Sequence, residues 1–179
     1  VEFYDEIKAQ GGVKDVYFST YKTYVVAFYR KPISANDKAR INDIVNVHRK
    51  RIFTNDAVGH YWCAFFAWPT NIVEWKGLTG IVMPFYDKKF FFSGVADSWP
   101  FIKNGQEKNG KWFSSAKLIN RFVPANQKGS FLDRLHMCLK IARAMRRLHA
   151  AGLAHSDLSY NNVLVDPLSG NACIIDCDG

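Results

Sequence analysis

Apolar positions in the N-terminal part of this chain fall in short extended runs, and further on they repeat at helical spacing. Gly11-Gly12-Val13-Lys14-Asp15-Val16-Tyr17-Phe18 reads as a glycine turn between two strands. Tyr24 to Tyr29 reads as a third strand, rich in β-branched and aromatic residues. Ser34-Ala35-Asn36-Asp37 has capping-box form, and Ile41, Ile44, Val45, His48 and Ile52 follow at helical spacing. Ile81-Val82-Met83-Pro84-Phe85 predicts a short buried strand stopped by proline. Ser130-Phe131-Leu132-Asp133 opens a second capped helix, with an apolar stripe of Leu132, Leu135, Leu139, Ala142, Met145 and Leu148 and with Gly152 as its C-cap. Strands, a helix, a strand, a long helix and then a polar loop predict an α+β fold without internal repeats, divided at residues 1–86 and 87–179.

The segment 87–124 resists assignment by pattern. Its aromatic runs and its two Asn-Gly pairs, Asn104-Gly105 and Asn109-Gly110, suggest an insertion with a turn or hairpin. The aromatics could form a docking surface or fold back as packing.

Composition narrows the function classes. With 179 residues and 48% hydrophobic content, the chain can bury a core. No stretch approaches the roughly 18–20 apolar residues of a membrane span, and Val1-Glu2-Phe3-Tyr4-Asp5-Glu6 is no signal peptide, so a cytoplasmic location away from membranes is expected. The net charge of +8 sits mainly in two helical stretches, Lys38 to Arg51 and Lys140 to Arg147. Solvated helix faces account for that charge without a nucleic-acid partner. Cys63, Cys138, Cys173 and Cys177 form no CxxC pair, and are expected to be buried free thiols.

The chemistry concentrates near the C-terminus. His155-Ser156-Asp157-Leu158-Ser159-Tyr160-Asn161-Asn162 precedes the apolar run Val163-Leu164-Val165, and Ile174-Ile175-Asp176 follows. An Asp, an Asn five positions on and a second Asp after a short hydrophobic hairpin is the spacing of a phosphoryl-transfer site. Asp157 can accept a proton from an attacking hydroxyl, while Asn162 and Asp176 offer the hard oxygen ligands that Mg²⁺ prefers. His155 reads as a structural residue that holds the loop.

These motifs resemble the catalytic loop and metal-binding Asp of the protein-kinase superfamily, with HSDLSYNN for HRDLKxxN and DCD for DFG. The residues Gly11 to Tyr17, Tyr24 to Phe28, Val82-Met83-Pro84, His155 to Asp166 and Ile174 to Gly179 together are similar to bacterial Hanks-like kinases. The wording is nearest to the kinases of TerY-type tellurite-resistance gene clusters. The resemblance implies a bilobal kinase fold and Mg²⁺-assisted transfer of the γ-phosphoryl group of ATP to a Ser/Thr hydroxyl of a protein. It also implies association with a von Willebrand-type partner and a phosphatase. On this reading the nucleotide would meet Gly11, Gly12, Lys14, Ala27, Arg30, Lys31, Met83 and Phe85. The chain would also be a fragment, since a complete kinase fold needs roughly another hundred residues after this point.

Several positions depart from the family pattern. Tyr29 stands where strand three should carry its phosphate-bridging lysine. Strand alternation puts Ala27, Tyr29 and Lys31 on one face, so Lys31 substitutes if the strand runs on, and Arg30 if the register shifts by one. Lys14 takes the place of the third glycine, either over the phosphates or turned to solvent. Strand holding favours Arg30 or Lys31 over a turn lysine. The first helix offers Asp37 and Asp43 but no glutamate. Ser159 replaces the lysine that steadies the γ-phosphoryl charge, and Ser156 replaces the HRD arginine. Two alternatives therefore stand beside the protein kinase: a pseudokinase or nucleotide-binding scaffold, and a small-molecule, aminoglycoside-type phosphotransferase.

Overall fold

The computed structural model describes residues 1–53 and 58–178; Gly179, the last residue of the second motif, lies outside the described residues. The fold is α+β, and the chain separates into two compact units. The first takes Val1–Cys63, Ala67–Phe85 and Asp178, and the second takes Ala64–Phe66 and Tyr86–Cys177.

The first unit is built on one antiparallel sheet. Its strands are β1 (Phe3–Gln10), β2 (Lys14–Ser19), β3 (Tyr24–Tyr29), β4 (Asn71–Trp75) and β5 (Leu78–Pro84), in the spatial order β1-β2-β3-β5-β4. Pairing of Val16 with Ala27, and of Val25 with Met83, puts Val16, Val25, Ala27, Ile81 and Met83 on one face. Helix α1 (Ala35–Asp43) buries Ile41 there, and Val45 from the following π-helical turn (Ile44–His48) completes the cluster before the short α2 (Arg49–Ile52). Ser34 caps α1 by accepting from the Asp37 amide at 3.1 Å. The Trp68 indole donates to the Ile44 carbonyl at 3.1 Å, satisfying a polar atom of the irregular turn. On the opposite face Tyr17, Val26, Phe28 and Val82 pack with Phe3 and Trp75.

β4 is not apparent in the apolar pattern, because Ile72 and Val73 are both half-buried between exposed Asn71 and Glu74 and no alternation marks it. It pairs with β5 through the two-residue turn Lys76-Gly77, whose φ values of 49° and 77° fit the primed turn that matches strand twist. The short helix α3 (Gly59–Cys63) also escapes the pattern.

The second unit carries α4 (Ala116–Phe122), α5 (Phe131–Ala150) and the hairpin β6 (Val163–Asp166) with β7 (Asn171–Ile174). Ser130 and Asp133 form the expected capping box of α5, and Gly152 follows its last turn. The expected stripe is buried only at its C-terminal end, where Leu148 is buried and Met145 half-buried. Leu132, Leu135, Leu139 and Ala142 are exposed, whereas Met137, Ala144 and Leu148 are buried on the side that packs on β7. Spacings of seven and four make those three an equally regular helical stripe, and only tertiary packing selects between the two.

Residues 87–113 form 3₁₀ turns and isolated bridges, Phe91 with Glu107 and Asn109 with Leu164, and the chain turns at Asn104-Gly105, where Gly105 has φ of 80°. Their aromatics fold back: Phe92, Val95 and Ile102 bury against Ile119 and Val123 of the α4 region, with Trp99, Trp112 and Phe113 around them. Lys108 is buried in this segment, with its ammonium donating to the Lys89 carbonyl at 3.0 Å and lying 3.8 Å from Asp166. Of the four cysteines, Cys173 and Cys177 are buried, while Cys63 and Cys138 are exposed free thiols, contrary to expectation. Among the described residues no helix is long and apolar enough to cross a membrane.

Candidate functional site

The loop after α5 is ordered by its own polar groups. Ser159 accepts from the Asn161 amide at 3.3 Å and caps a 3₁₀ turn, Tyr160–Asn162. The Asn162 side-chain amide then reaches back over that turn. It donates to the Asp157 carbonyl at 2.8 Å and to the Asp157 carboxylate oxygen Oδ2 at 3.0 Å. Asp157 itself is exposed. Its Oδ2 is therefore held and oriented.

Two bonds tie this loop to the chain leaving β7. The Ile175 amide donates to the Asn162 carbonyl at 3.0 Å, and the His155 ring nitrogen Nε2 lies 2.9 Å from the Ile175 carbonyl. Because His155 Nδ1 accepts from the Asp157 amide at 3.3 Å, Nε2 carries the proton and donates. His155 thus acts as a brace between loop and hairpin. The residue after Ile175 is Asp176, half-buried, with φ of 59°. Left-handed backbone at a non-glycine residue costs on the order of 1–3 kcal/mol and persists where surrounding bonds impose it. The two bonds to Ile175 anchor the residue just before Asp176.

Oxygen donors suited to Mg²⁺ are present in this arrangement. The Asn162 amide nitrogen is engaged by Asp157, which leaves the carbonyl end of its side chain for a hard cation, and Asp176 adds a carboxylate. Among the described residues no group of three or more His, Cys, Asp or Glu converges as a metal cluster. Two protein oxygens supplemented by water and phosphate are the usual manner of holding Mg²⁺, so the residues fit this ion and not a caged metal.

Tyr86 and Glu107 lie in the same unit and drew no attention in the sequence. Burial pushes the Tyr86 phenol far above its usual range, and negative charge from Glu107 and, more weakly, from Asp176 adds to the effect. Burial likewise raises the Glu107 carboxyl, against a smaller opposing pull from Lys111.

In the first unit, the glycine turn is closed by a bond from the Gly11 amide to the Lys14 carbonyl at 2.9 Å. Arg30 does not project toward a ligand there. Its Nε donates to Asp15 at 2.7 Å and its Nη2 to the Gly11 carbonyl at 2.6 Å, so the guanidinium clamps the turn. Lys31 is not on the strand, since β3 ends at Tyr29 and the residue before Pro32 is biased away from helical backbone as the chain turns off the sheet. It is exposed and lines an open cleft of about 610 Å³ with Gly12, Tyr29, Arg30, Ser34 and Arg40. Lys14, given the least weight in the sequence, is the cation that points inward. It is the first residue of β2, and its ammonium bonds both carboxylate oxygens of Asp178 at 2.8 Å.

Ala27 and Met83 lie on the sheet face that also carries Val16, fully buried and nearly so, and Phe85 packs edge-on against Phe18. Asp37 is consumed by the cap of α1 and by Arg40 at 3.6 Å, and Asp43 is exposed on its helix. No protein-family model matches this sequence, and no curated protein matches it. Asp178 is the residue whose place the sequence did not disclose. Its position two residues after Asp176 was visible, but its partners are Lys14 and Tyr29, at the other end of the chain.

Proposed function

We propose that this chain is an ATP-dependent protein kinase similar to the bacterial Hanks-like kinases, transferring the γ-phosphoryl group to a Ser/Thr hydroxyl. The observation that carries the reading is the side-chain bond from Asn162 to Asp157, combined with the backbone bond from Ile175 to Asn162. Together they bring the loop of Asp157 and Asn162 beside the chain leaving β7, where Asp176 follows Ile175, and this supports the reading. The Asp157 carboxylate would take the proton of the attacking hydroxyl as the hydroxyl oxygen bonds to the γ-phosphorus and the bond from phosphorus to the bridging oxygen breaks, releasing ADP, while Asn162 holds the carboxylate in place. The Asn162 carbonyl oxygen and Asp176 would hold Mg²⁺, which neutralises charge on the transferring phosphate. The strained backbone of Asp176 fits a carboxylate whose direction matters more than its comfort.

A second reading, a nucleotide-binding scaffold, draws on Tyr29, which fills the usual lysine position and donates its hydroxyl to Asp178. Incubation with γ-labelled ATP and Mg²⁺, with autophosphorylation and transfer to Ser/Thr substrates followed, separates the two. Transfer that vanishes in Asp157→Asn supports the kinase. Nucleotide binding without any transfer by the wild type overturns it in favour of the scaffold.

A further inference from the structure

Strand pairing places Lys14 directly across from Tyr29. Cross-strand partners share a face of the sheet. Lys14 therefore stands on the face of Val16 and Ala27, beside the position where strand three would have carried a lysine and carries Tyr29. Its ammonium lies 5.5 Å from the Tyr29 ring centre and within 2.8 Å of both Asp178 oxygens. The Tyr29 hydroxyl donates to the same carboxylate at 2.5 Å. The Lys14 and Asp178 side chains are only 12% and 1% exposed.

A buried ion pair of this kind is poor evidence of a stability device. Removing both charges from water costs about as much as their attraction returns, and apolar replacements are often neutral or better. The pair does keep a lysine ordered and aimed, so that little rotamer freedom remains to be lost when an anion arrives. The other nearby cations are less suited. Arg30 is held by the glycine turn, and Lys31 lies beyond the strand end.

We propose that Lys14, delivered from strand two, is the cation that meets the phosphates of the nucleotide, and that Asp178, steadied by Tyr29, is the resting anion that phosphate displaces from it. The inference rests on the kinase reading and adds to it the source of the phosphate-binding charge. A polyphosphate carries more negative charge than one carboxylate and offers more acceptor oxygens, which lets it compete for the ammonium.

The test is calorimetric binding of ATP and of adenosine to the full chain, with melting curves to show that each variant is folded. Lys14→Met is expected to weaken ATP by about tenfold to a hundredfold, the size of a lost charge-assisted bond, and to leave adenosine unchanged. Asp178→Asn removes the competing anion and is expected to tighten ATP. A folded Lys14→Met that binds ATP as the wild type does overturns this inference and leaves the kinase reading intact. Equal loss of ATP and adenosine also overturns it, because the effect is then not on phosphate. A wild type that binds no nucleotide overturns both. If Lys14→Met does not fold, Asp178→Asn decides: tighter ATP binding supports the proposal, and unchanged or weaker binding overturns it.

Discussion

The Asn162 side chain donates to the Asp157 carboxylate at 3.0 Å and, with the same nitrogen, to the Asp157 carbonyl at 2.8 Å. A single amide thus fixes both the backbone and the carboxylate of the residue five positions before it. The proton acceptor of the proposed reaction is oriented before any substrate arrives, even though it is exposed. Asp157→Asn should therefore leave ATP binding nearly unchanged and cut phosphoryl transfer by about 10²- to 10⁴-fold, the range of general-base and positioning effects. Single-turnover transfer rates beside binding isotherms would show it, and an unimpaired rate would remove Asp157 from the mechanism.

Glu107 gives the second unit a pH dependence of defined sign. Burial raises its pKa above the ordinary 4.5, so the folded chain prefers the protonated acid. Its contribution to stability is complete below pH 4.5 and is lost as pH rises through the raised value. Glu107→Gln keeps a neutral side chain at every pH. The variant should melt above the wild type at neutral pH, and the difference should close on acidification toward pH 4.5. Melting curves across that span check this, and a pH-independent difference would contradict it.

Gly129 leads into the cap of α5 with φ of 62°, and a Cβ there would meet the Pro167 carbonyl oxygen at 1.9 Å. Left-handed strain of about 1–2 kcal/mol is joined by a clash with backbone that cannot swing aside. Gly129→Ala should lower the melting temperature more than an alanine at the neighbouring half-buried Lys128 does.

Ser130 accepts from the Asp133 amide at 3.1 Å, and its own amide donates to Asp133 at 2.8 Å. Ser130→Ala removes half of this reciprocal cap and should cost about 1 kcal/mol. In a domain of this size that is a fall of about 2–4 °C in melting temperature. Ser130→Asp, which retains an acceptor, should recover most of it.

What could be read from the chain itself depended on local physics. The glycine turn, the third strand at Tyr24–Tyr29, and the caps at Ser34 and Ser130 each depend on residues only a few positions apart, and the structure has them where the pattern puts them. The spacing of Asp157, Asn162 and Asp176 belongs to the same class, because one loop and one hairpin connect them. β4 and α4 were less legible, being short and only partly buried, so that neither imposes a full period on its residues.

Tertiary structure decided the choices between locally equivalent options. Helix α5 carries two regular apolar stripes, and packing on β7 buries Met137, Ala144 and Leu148 while Leu132, Leu135 and Leu139 stay exposed. Among three candidate cations, the firmer hold of a strand on its side chains favoured Arg30 or Lys31 over Lys14. The fold instead turned Lys14 inward, because β2 pairs it with Tyr29 and its counter-ion comes from 164 residues away. Periodicity and capping operate within a few residues and are written in the order of the chain. The partner of a buried charge is set by which distant segments share a dry environment, and that is known only once the chain has folded.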